Sequence, residues 1–176
     1  PDSWEVNMPG EGPGYPNTST GLLAAYTFNK DWQLTGSVMN GQPAGPAATR
    51  TNYGANFPTG NGMLSWLELA YTPEIELADT ILPGNYKVGA WYNTNTVDNV
   101  TLSTTGRTFT DPVDKTYRGQ YSVYGLIDQT LFREANSSTQ GLSAFARVTI
   151  NPQQSRNVVT SYFDLGMAYT GLFIGR

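Results

Sequence analysis

The fold is decided by the stretch YRGQYSVYGLIDQTLFREANSSTQGLSAFARVTI, residues 117–150, which predicts two strands joined by a polar turn. Apolar and polar residues alternate along both arms, and alternate side chains of a strand project to opposite faces. One face of the hairpin therefore carries Tyr121, Val123, Gly125 and Ile127 of the first arm and Leu142, Ala144, Ala146, Val148 and Ile150 of the second. The other face carries polar residues, large aromatics and Arg147. The pattern predicts an antiparallel hairpin with one apolar and one polar face.

A soluble β-sandwich would show the same alternation, with its apolar faces turned inward. Two features instead favour an apolar face that points outward into lipid. Each arm has about ten residues, whereas strands of soluble sheets usually have about five or six. Aromatic residues also lie near the strand ends, as they do in the girdles of outer-membrane barrels.

The hairpin resembles a segment of the carbohydrate-selective (OprB-type) porin family of bacterial outer membranes. VYGLIDQTLFRE and TQGLSAFARV are similar to the family pattern GxYxLxDQxLWR…xQGLxxFxR. LPGNYKVGAWYNT, residues 82–94, and the closing YFDLGMAYTGLFIGR also resemble family segments in the same order, although Ile174 replaces a proline of the last motif. The resemblance covers about residues 62–176. It implies an all-β, antiparallel transmembrane β-barrel in the bacterial outer membrane that passes sugars through a water-filled lumen.

The composition is typical of an all-β protein and argues against several classes of function. The 176 residues include 19 Gly, 11 Pro and 11 Tyr, and only 14% are charged. The chain has no Cys and no His, so it lacks a thiol nucleophile and the commonest general base and metal ligand. We therefore expect no metal and no cofactor. The net charge of −4 argues against a nucleic-acid-binding surface, which would be basic.

Turn residues divide the chain into seven predicted strands. They are Gly21–Phe28, Trp32–Asn40, Met63–Thr72, Tyr86–Asn93, the two arms of the quoted hairpin, and Val158–Thr170. Short connections are predicted at 29–31, 73–84 and 133–140, and an N-terminal loop at 1–20. Bacterial barrels have short periplasmic turns and longer external loops. We therefore expect the long loops 41–61 and 94–118, together with 151–157, on the outside of the cell.

Seven strands do not close a bacterial single-chain barrel, which has an even number of strands from eight upward. Porins with an aqueous channel use about 16–18 strands, and the resemblance implies a barrel of about 16. We expect residues 1–176 to be part of one barrel domain, with the remaining strands in a longer polypeptide or a companion chain. The polar sequence after Pro1 has no signal-peptide features, which suggests a mature or partial chain.

Ten residues on the polar faces of the predicted strands are candidates for lining the pore. Aromatic rings can stack on the C–H patches of sugars, and charged or planar groups can bond to their hydroxyls. Arg147 is the best candidate, because an arginine on a pore wall also sets anion preference; alternatively, it pairs with Asp128 or Glu68. Each residue could also merely fill or wet the lumen. The ten candidates are Trp66, Glu68, Lys87, Trp91, Tyr124, Asp128, Phe145, Arg147, Tyr162 and Asp164.

Two other functions remain open at this point. The same aromatics could lie on the exposed face of a secreted carbohydrate-binding β-sandwich, or Glu74 and Glu76 could be the carboxylate pair of a glycosidase. Asp98, Asp111 and Asp114 could hold Ca²⁺, but their spacing matches no EF-hand. The favoured interpretation is a porin and not an enzyme. Its expected partners are mono- or oligosaccharides, outer-membrane lipid, the other strands of the barrel and further copies in a homo-oligomer, with no nucleic acid.

Overall fold

The structure, a computed structural model, describes residues 20–41, 62–77, 79–99, 116–135, 137, 139–157 and 159–171. These residues form eight β-strands. The strands are β1 (Gly21–Thr27), β2 (Trp32–Asn40), β3 (Met63–Tyr71), β4 (Glu74–Leu77), β5 (Thr80–Asp98), β6 (Thr116–Arg133), β7 (Gly141–Ile150) and β8 (Ser161–Thr170). Over the same ranges, no helix has the length and apolar character needed to span a membrane.

The strands form one antiparallel sheet in which each strand lies beside its neighbour in the sequence. The order is β1-β2-β3-β5-β6-β7-β8, and β4 pairs with the first residues of β5. β1 and β8 are the two ends of the described sheet. The predicted all-β antiparallel fold is therefore confirmed, with eight strand segments instead of the predicted seven.

The additional strand arises because β3 and β4 together form one arm of a long hairpin with β5. Both pair with β5 in the same register, up to a tip at which Asp79 has a φ of 62°. That left-handed conformation is the one that tight hairpin turns require. Pro73 interrupts the arm because it has no N–H, but its carbonyl still accepts a hydrogen bond from the Gly84 N–H at 2.8 Å. The segment 73–84 is thus mostly hairpin, where a simple connection was predicted.

β5 and β6 are the longest strands, with 19 and 18 residues, and both extend into the stretch 94–118 that was predicted to be a loop. A shift in register between Asn93 and Thr96 places two residues of β5 opposite Gly119, which has a φ of 82°. An extra residue of this kind is a β-bulge, which bends a strand and increases its twist. Residues 1–19, 42–61 and 100–115, which include most of the predicted N-terminal and long loops, lie outside the described residues.

The two faces of the sheet differ sharply in composition and burial. Residues opposite each other in the register share a face. The apolar face contains the rows with Leu67, Val88, Ile127, Val148 and Leu165. The polar face contains the intervening residues, such as Glu68 and Trp91. Val88 and Leu165 are 58% and 67% exposed, whereas Trp91 is 2% exposed. The large aliphatic residues of the apolar face therefore point away from the protein, and the polar face, which includes the buried Leu126, is the packed one.

Candidate functional site

All ten candidate residues lie on the polar face, in four neighbouring rows across β3, β5, β6, β7 and β8. The rows are Trp66, Trp91 and Ser122; Glu68, Gly89, Tyr124, Thr149 and Tyr162; Ala70, Lys87, Leu126, Arg147 and Asp164; and Asn85, Asp128, Phe145 and Gly166. Sequence alternation within single strands had grouped these residues only by face. The register now brings them together in one continuous patch.

A hydrogen-bonded network joins three strands in this patch. The Tyr124 hydroxyl donates to Glu68 Oε2 at 2.6 Å and accepts a hydrogen bond from Trp66 Nε1 at 2.7 Å. Lys87 Nζ lies 3.1 Å from the other carboxylate oxygen, Glu68 Oε1. Glu68 is only 8% exposed, and a buried carboxylate is tolerated when it is paired and hydrogen-bonded. The network therefore holds a charged residue within the packed face.

Glycines make this packing possible, and the sequence did not single them out. Tyr124 reaches Glu68 by lying across Gly89, where a Cβ atom would come within 2.4 Å of the tyrosine ring. Phe145 lies across Gly166 in the same way, and a Cβ atom there would be 2.6 Å from the ring. Aromatic rings that cover glycines of a neighbouring strand are a known device of β-sheets. Both glycines therefore determine where the aromatic rings of the patch lie.

Arg147 forms the second ion pair of the patch, with Asp164 directly opposite on β8. Arg147 Nε donates to Asp164 Oδ1 at 2.9 Å, and Nη2 donates to Oδ2, which makes the contact bidentate. The guanidinium carbon also lies 5.9 Å from the centre of the Tyr162 ring. The alternative in which Arg147 pairs with Asp128 or Glu68 is wrong, because Asp164 is its register partner and Glu68 is held by Lys87 and Tyr124.

The segment 151–157 packs against β6 at the end of the sheet where β5 and β6 extend furthest. Gln120 Nε2 donates to the Arg156 carbonyl at 2.5 Å and to Asn157 Oδ1 at 3.2 Å. The Arg156 guanidinium donates to the Arg118 carbonyl at 3.0 Å and lies 4.8 Å from the centre of the Tyr117 ring. Sequence reasoning treated this segment only as a loop, although its Gln, Asn and Arg content signals hydrogen bonding to a neighbouring strand.

The other acidic candidates lie outside the patch. Glu74 and Glu76 are exposed on β4, in the projecting part of the long hairpin, and Glu74 Oε2 lies 3.7 Å from Lys30 Nζ. The candidate Ca²⁺ ligands, namely the side chain of Asp98 and all of Asp111 and Asp114, lie outside the described residues.

Together, the meandering antiparallel sheet, the exposed apolar face and the packed polar face define a segment of a porin-type β-sheet. Residues 2–176 match the sequence profile described as "Carbohydrate-selective porin, OprB family", and the chain belongs to this family. This confirms the resemblance from which the family was inferred.

The similar proteins are considerably longer than this chain. Porin B of Pseudomonas aeruginosa is 26% identical over 174 residues, which cover 92% of this chain and 35% of that protein. A high-pH structure of Pseudomonas putida OprB superposes with a TM-score of 0.71 at 22% identity, over 92% of this chain and 38% of that one. This likeness confirms the predicted fold class, a segment of a porin barrel. The chain spans about a third of the length of the relatives that it matches.

Proposed function

We propose that this chain forms part of the wall of a bacterial outer-membrane porin through which sugars diffuse. The observation that carries the proposal is the inverted burial of the sheet. Leu165 and Val88 are exposed, whereas Trp91, Tyr124 and Glu68 are buried. In a water-soluble β-sandwich the aliphatic rows would pack inward, so this arrangement favours a porin over a secreted sandwich.

Aromatic residues support a membrane position for the apolar face. Near one end of the strands, the ring centroids of Trp32 and Tyr71 are 4.4 Å apart in a stacked pair, and Tyr86 packs edge-on against Tyr71 at 6.1 Å. Tyr92 and Tyr121 are opposite each other near the other end of the same face. Aliphatic rows lie between the two groups, as they do between the aromatic girdles of outer-membrane barrels.

The polar face would then line the water-filled lumen, with the ten candidate residues as its wall. Trp66, Phe145 and Tyr162 are partly exposed and supply rings for stacking on sugars, whereas Trp91 and Tyr124 are buried within the packed face. The two ion pairs supply donors and acceptors for hydroxyl groups. An unpaired strand edge in lipid costs several kcal/mol per backbone group. The edges at β1 and β8 would therefore pair with further strands of the same barrel. Sugar diffusion through such a channel needs no catalytic group.

Liposome swelling tests this function with the porin that contains this chain. We expect the protein to require detergent for extraction and to change gel mobility on heating. Reconstituted vesicles should swell in isotonic sugars, faster with monosaccharides than with larger oligosaccharides. A protein that stays soluble without detergent and leaves vesicles impermeable to every sugar would support the secreted sandwich instead.

A further inference from the structure

We propose that the polar face selects uncharged hydroxylated solutes because its charges are cancelled in pairs, and that the Arg147–Asp164 pair sets this balance. The inference rests on the proposed porin function and concerns which solutes the wall favours. It replaces the simpler expectation that Arg147 acts as a positive charge that attracts anions.

The Arg147–Asp164 pair is both well formed and accessible. Both carboxylate oxygens accept hydrogen bonds from the guanidinium, so little net charge remains at this position. The two side chains are 15% and 23% exposed. A solute at this wall therefore meets a strong local dipole. A sugar hydroxyl both donates and accepts hydrogen bonds and can bond to either half of the pair, whereas an ion gains no net attraction from it.

The charges of the second pair, Glu68 and Lys87, cancel in the same way, but the two side chains differ in exposure. Glu68 has a side-chain exposure of 9% and is closed off by Lys87 and Tyr124, whereas the Lys87 side chain is 33% exposed. Lys87 and Arg147 share a row with the buried Leu126 between them. Adjacent strands lie about 4.8 Å apart, so the backbones of Lys87 and Arg147 are about 10 Å apart. Each cation contacts a different carboxylate, Glu68 for Lys87 and Asp164 for Arg147. The wall is thus divided into two local ion pairs.

Asp128 is the remaining charged residue of the four rows and has no ion-pair partner among the described residues. The rows contain two cations and three acids, so only one negative charge remains uncompensated. This balance distinguishes the wall from a ring of like charges, which is the usual basis of ion selectivity in pores. The field along the wall therefore alternates in sign over short distances.

Reversal potentials in planar bilayers under a potassium chloride gradient test the proposal. Arg147→Gln leaves Asp164 unpaired and should shift the permeability ratio toward cations, whereas Asp164→Asn leaves Arg147 unpaired and should shift it toward anions. A unit charge about 4 Å from a passing ion in water should change the permeability of each ion about five-fold, in opposite directions for the cation and the anion. The double substitution Arg147→Gln with Asp164→Asn should return the ratio to that of the unaltered protein. Glu74→Gln, on the projecting hairpin, is the control for a charge removed outside the wall.

The outcomes separate the inference from the function on which it rests. Single variants that conduct with an unchanged ratio, or that shift in the same direction, overturn the inference and leave the porin function intact. A protein that forms no channels in any version overturns the porin function. If the single variants fail to assemble, the exchanged pair Arg147→Asp with Asp164→Arg decides the question. Its ratio should match that of the unaltered protein, and a shifted ratio contradicts the proposal.

Discussion

Asp164 and Leu165 are neighbours in the sequence but meet opposite surroundings. Asp164 lies on the polar face with both carboxylate oxygens bound to Arg147, whereas Leu165 is 67% exposed on the apolar face. Lys87 and Val88 show the same contrast on β5, three strands away in the sheet, where Lys87 contacts Glu68 and Val88 is 58% exposed. Consecutive side chains of each strand therefore project into two different environments.

The contrast supports the proposed position of the sheet between lipid and water. A contiguous exposed apolar surface of this kind is costly in water and rare on soluble monomers, but acyl chains do not penalise it. The polar face, in turn, pairs four of its five charged residues internally, with Asp128 as the exception among the described residues. One face thus suits lipid and the other suits a confined aqueous space, although both belong to one layer of strands.

The largest effect is expected when an arginine is placed on the apolar face of β7, with an arginine on the polar face of the same strand as the control. Ala146→Arg places a charge in the row of Ile127 and Leu165 and should reduce barrel stability by about 2–4 kcal/mol at the membrane midplane. Ser143→Arg, on the polar face of the same strand, is the matched control and should assemble normally. The fraction of heat-modifiable protein in isolated outer membranes measures both. Equal loss in the two variants would show that the faces are assigned incorrectly.

Thr149 is a poor control for that experiment, although its position on the polar face makes it an obvious choice from the sequence. Its side chain is fully buried in the row of Tyr124 and Tyr162. An arginine there would be overpacked whichever solvent the face meets, so its failure would not distinguish lipid from water.

A smaller effect is expected when a glycine of the polar face of β5 is replaced by alanine. A glycine on the apolar face of the adjacent strand β6 provides the control. Gly89→Ala puts a Cβ atom 2.4 Å from the Tyr124 ring and pushes the hydroxyl away from Glu68. The expected loss is about 1–3 kcal/mol, the usual cost of overpacking. The free energy of unfolding in detergent, from urea titration, gives the measurement.

The control for this change is Gly125→Ala on the apolar face of β6. The nearest atom to its Cβ would be Val148 Cγ1, at an ordinary contact distance of 3.7 Å, so stability should hardly change. If Gly125→Ala destabilises the protein as much as Gly89→Ala does, the apolar face must be packed against another part of the barrel and not against lipid.

Much of this arrangement could be predicted because strand alternation has a strict period of two. A residue's parity within a strand fixes its face, and all ten candidates were placed on the correct one. Parity does not fix which residues of different strands meet. Arg147 lies 17 positions from Asp164, and Tyr124 lies 56 positions from Glu68. Both contacts depend on the register, which alternation within a strand does not specify.

The missed strand β4 has a different cause. Pro73, Pro83 and Gly84 are residues that usually end strands, and they suggested an irregular connection. Pro73 removes one hydrogen bond of the ladder, but the arm stays in register because its carbonyl still accepts a hydrogen bond from the Gly84 N–H. Residue type indicates only the average tendency of proline and glycine to end a strand. Whether the strand continues depends on the backbone hydrogen bonds that each residue can still form with the partner strand.

The smallest effect concerns the aromatic residues at the edge of the apolar face. Trp32→Leu removes the ring that stacks on Tyr71 at 4.4 Å and should cost about 0.5–1.5 kcal/mol, with Trp32→Phe as a control that retains a ring. Urea titration in lipid vesicles and in detergent gives both values. If Trp32 lies at a membrane interface, the loss should be larger in vesicles, since a bilayer has an interface at a fixed depth, whereas a detergent micelle adapts its shape to the protein surface. An equal loss in both media would mean that Trp32 acts only through Tyr71, and this end of the apolar face would then need another explanation.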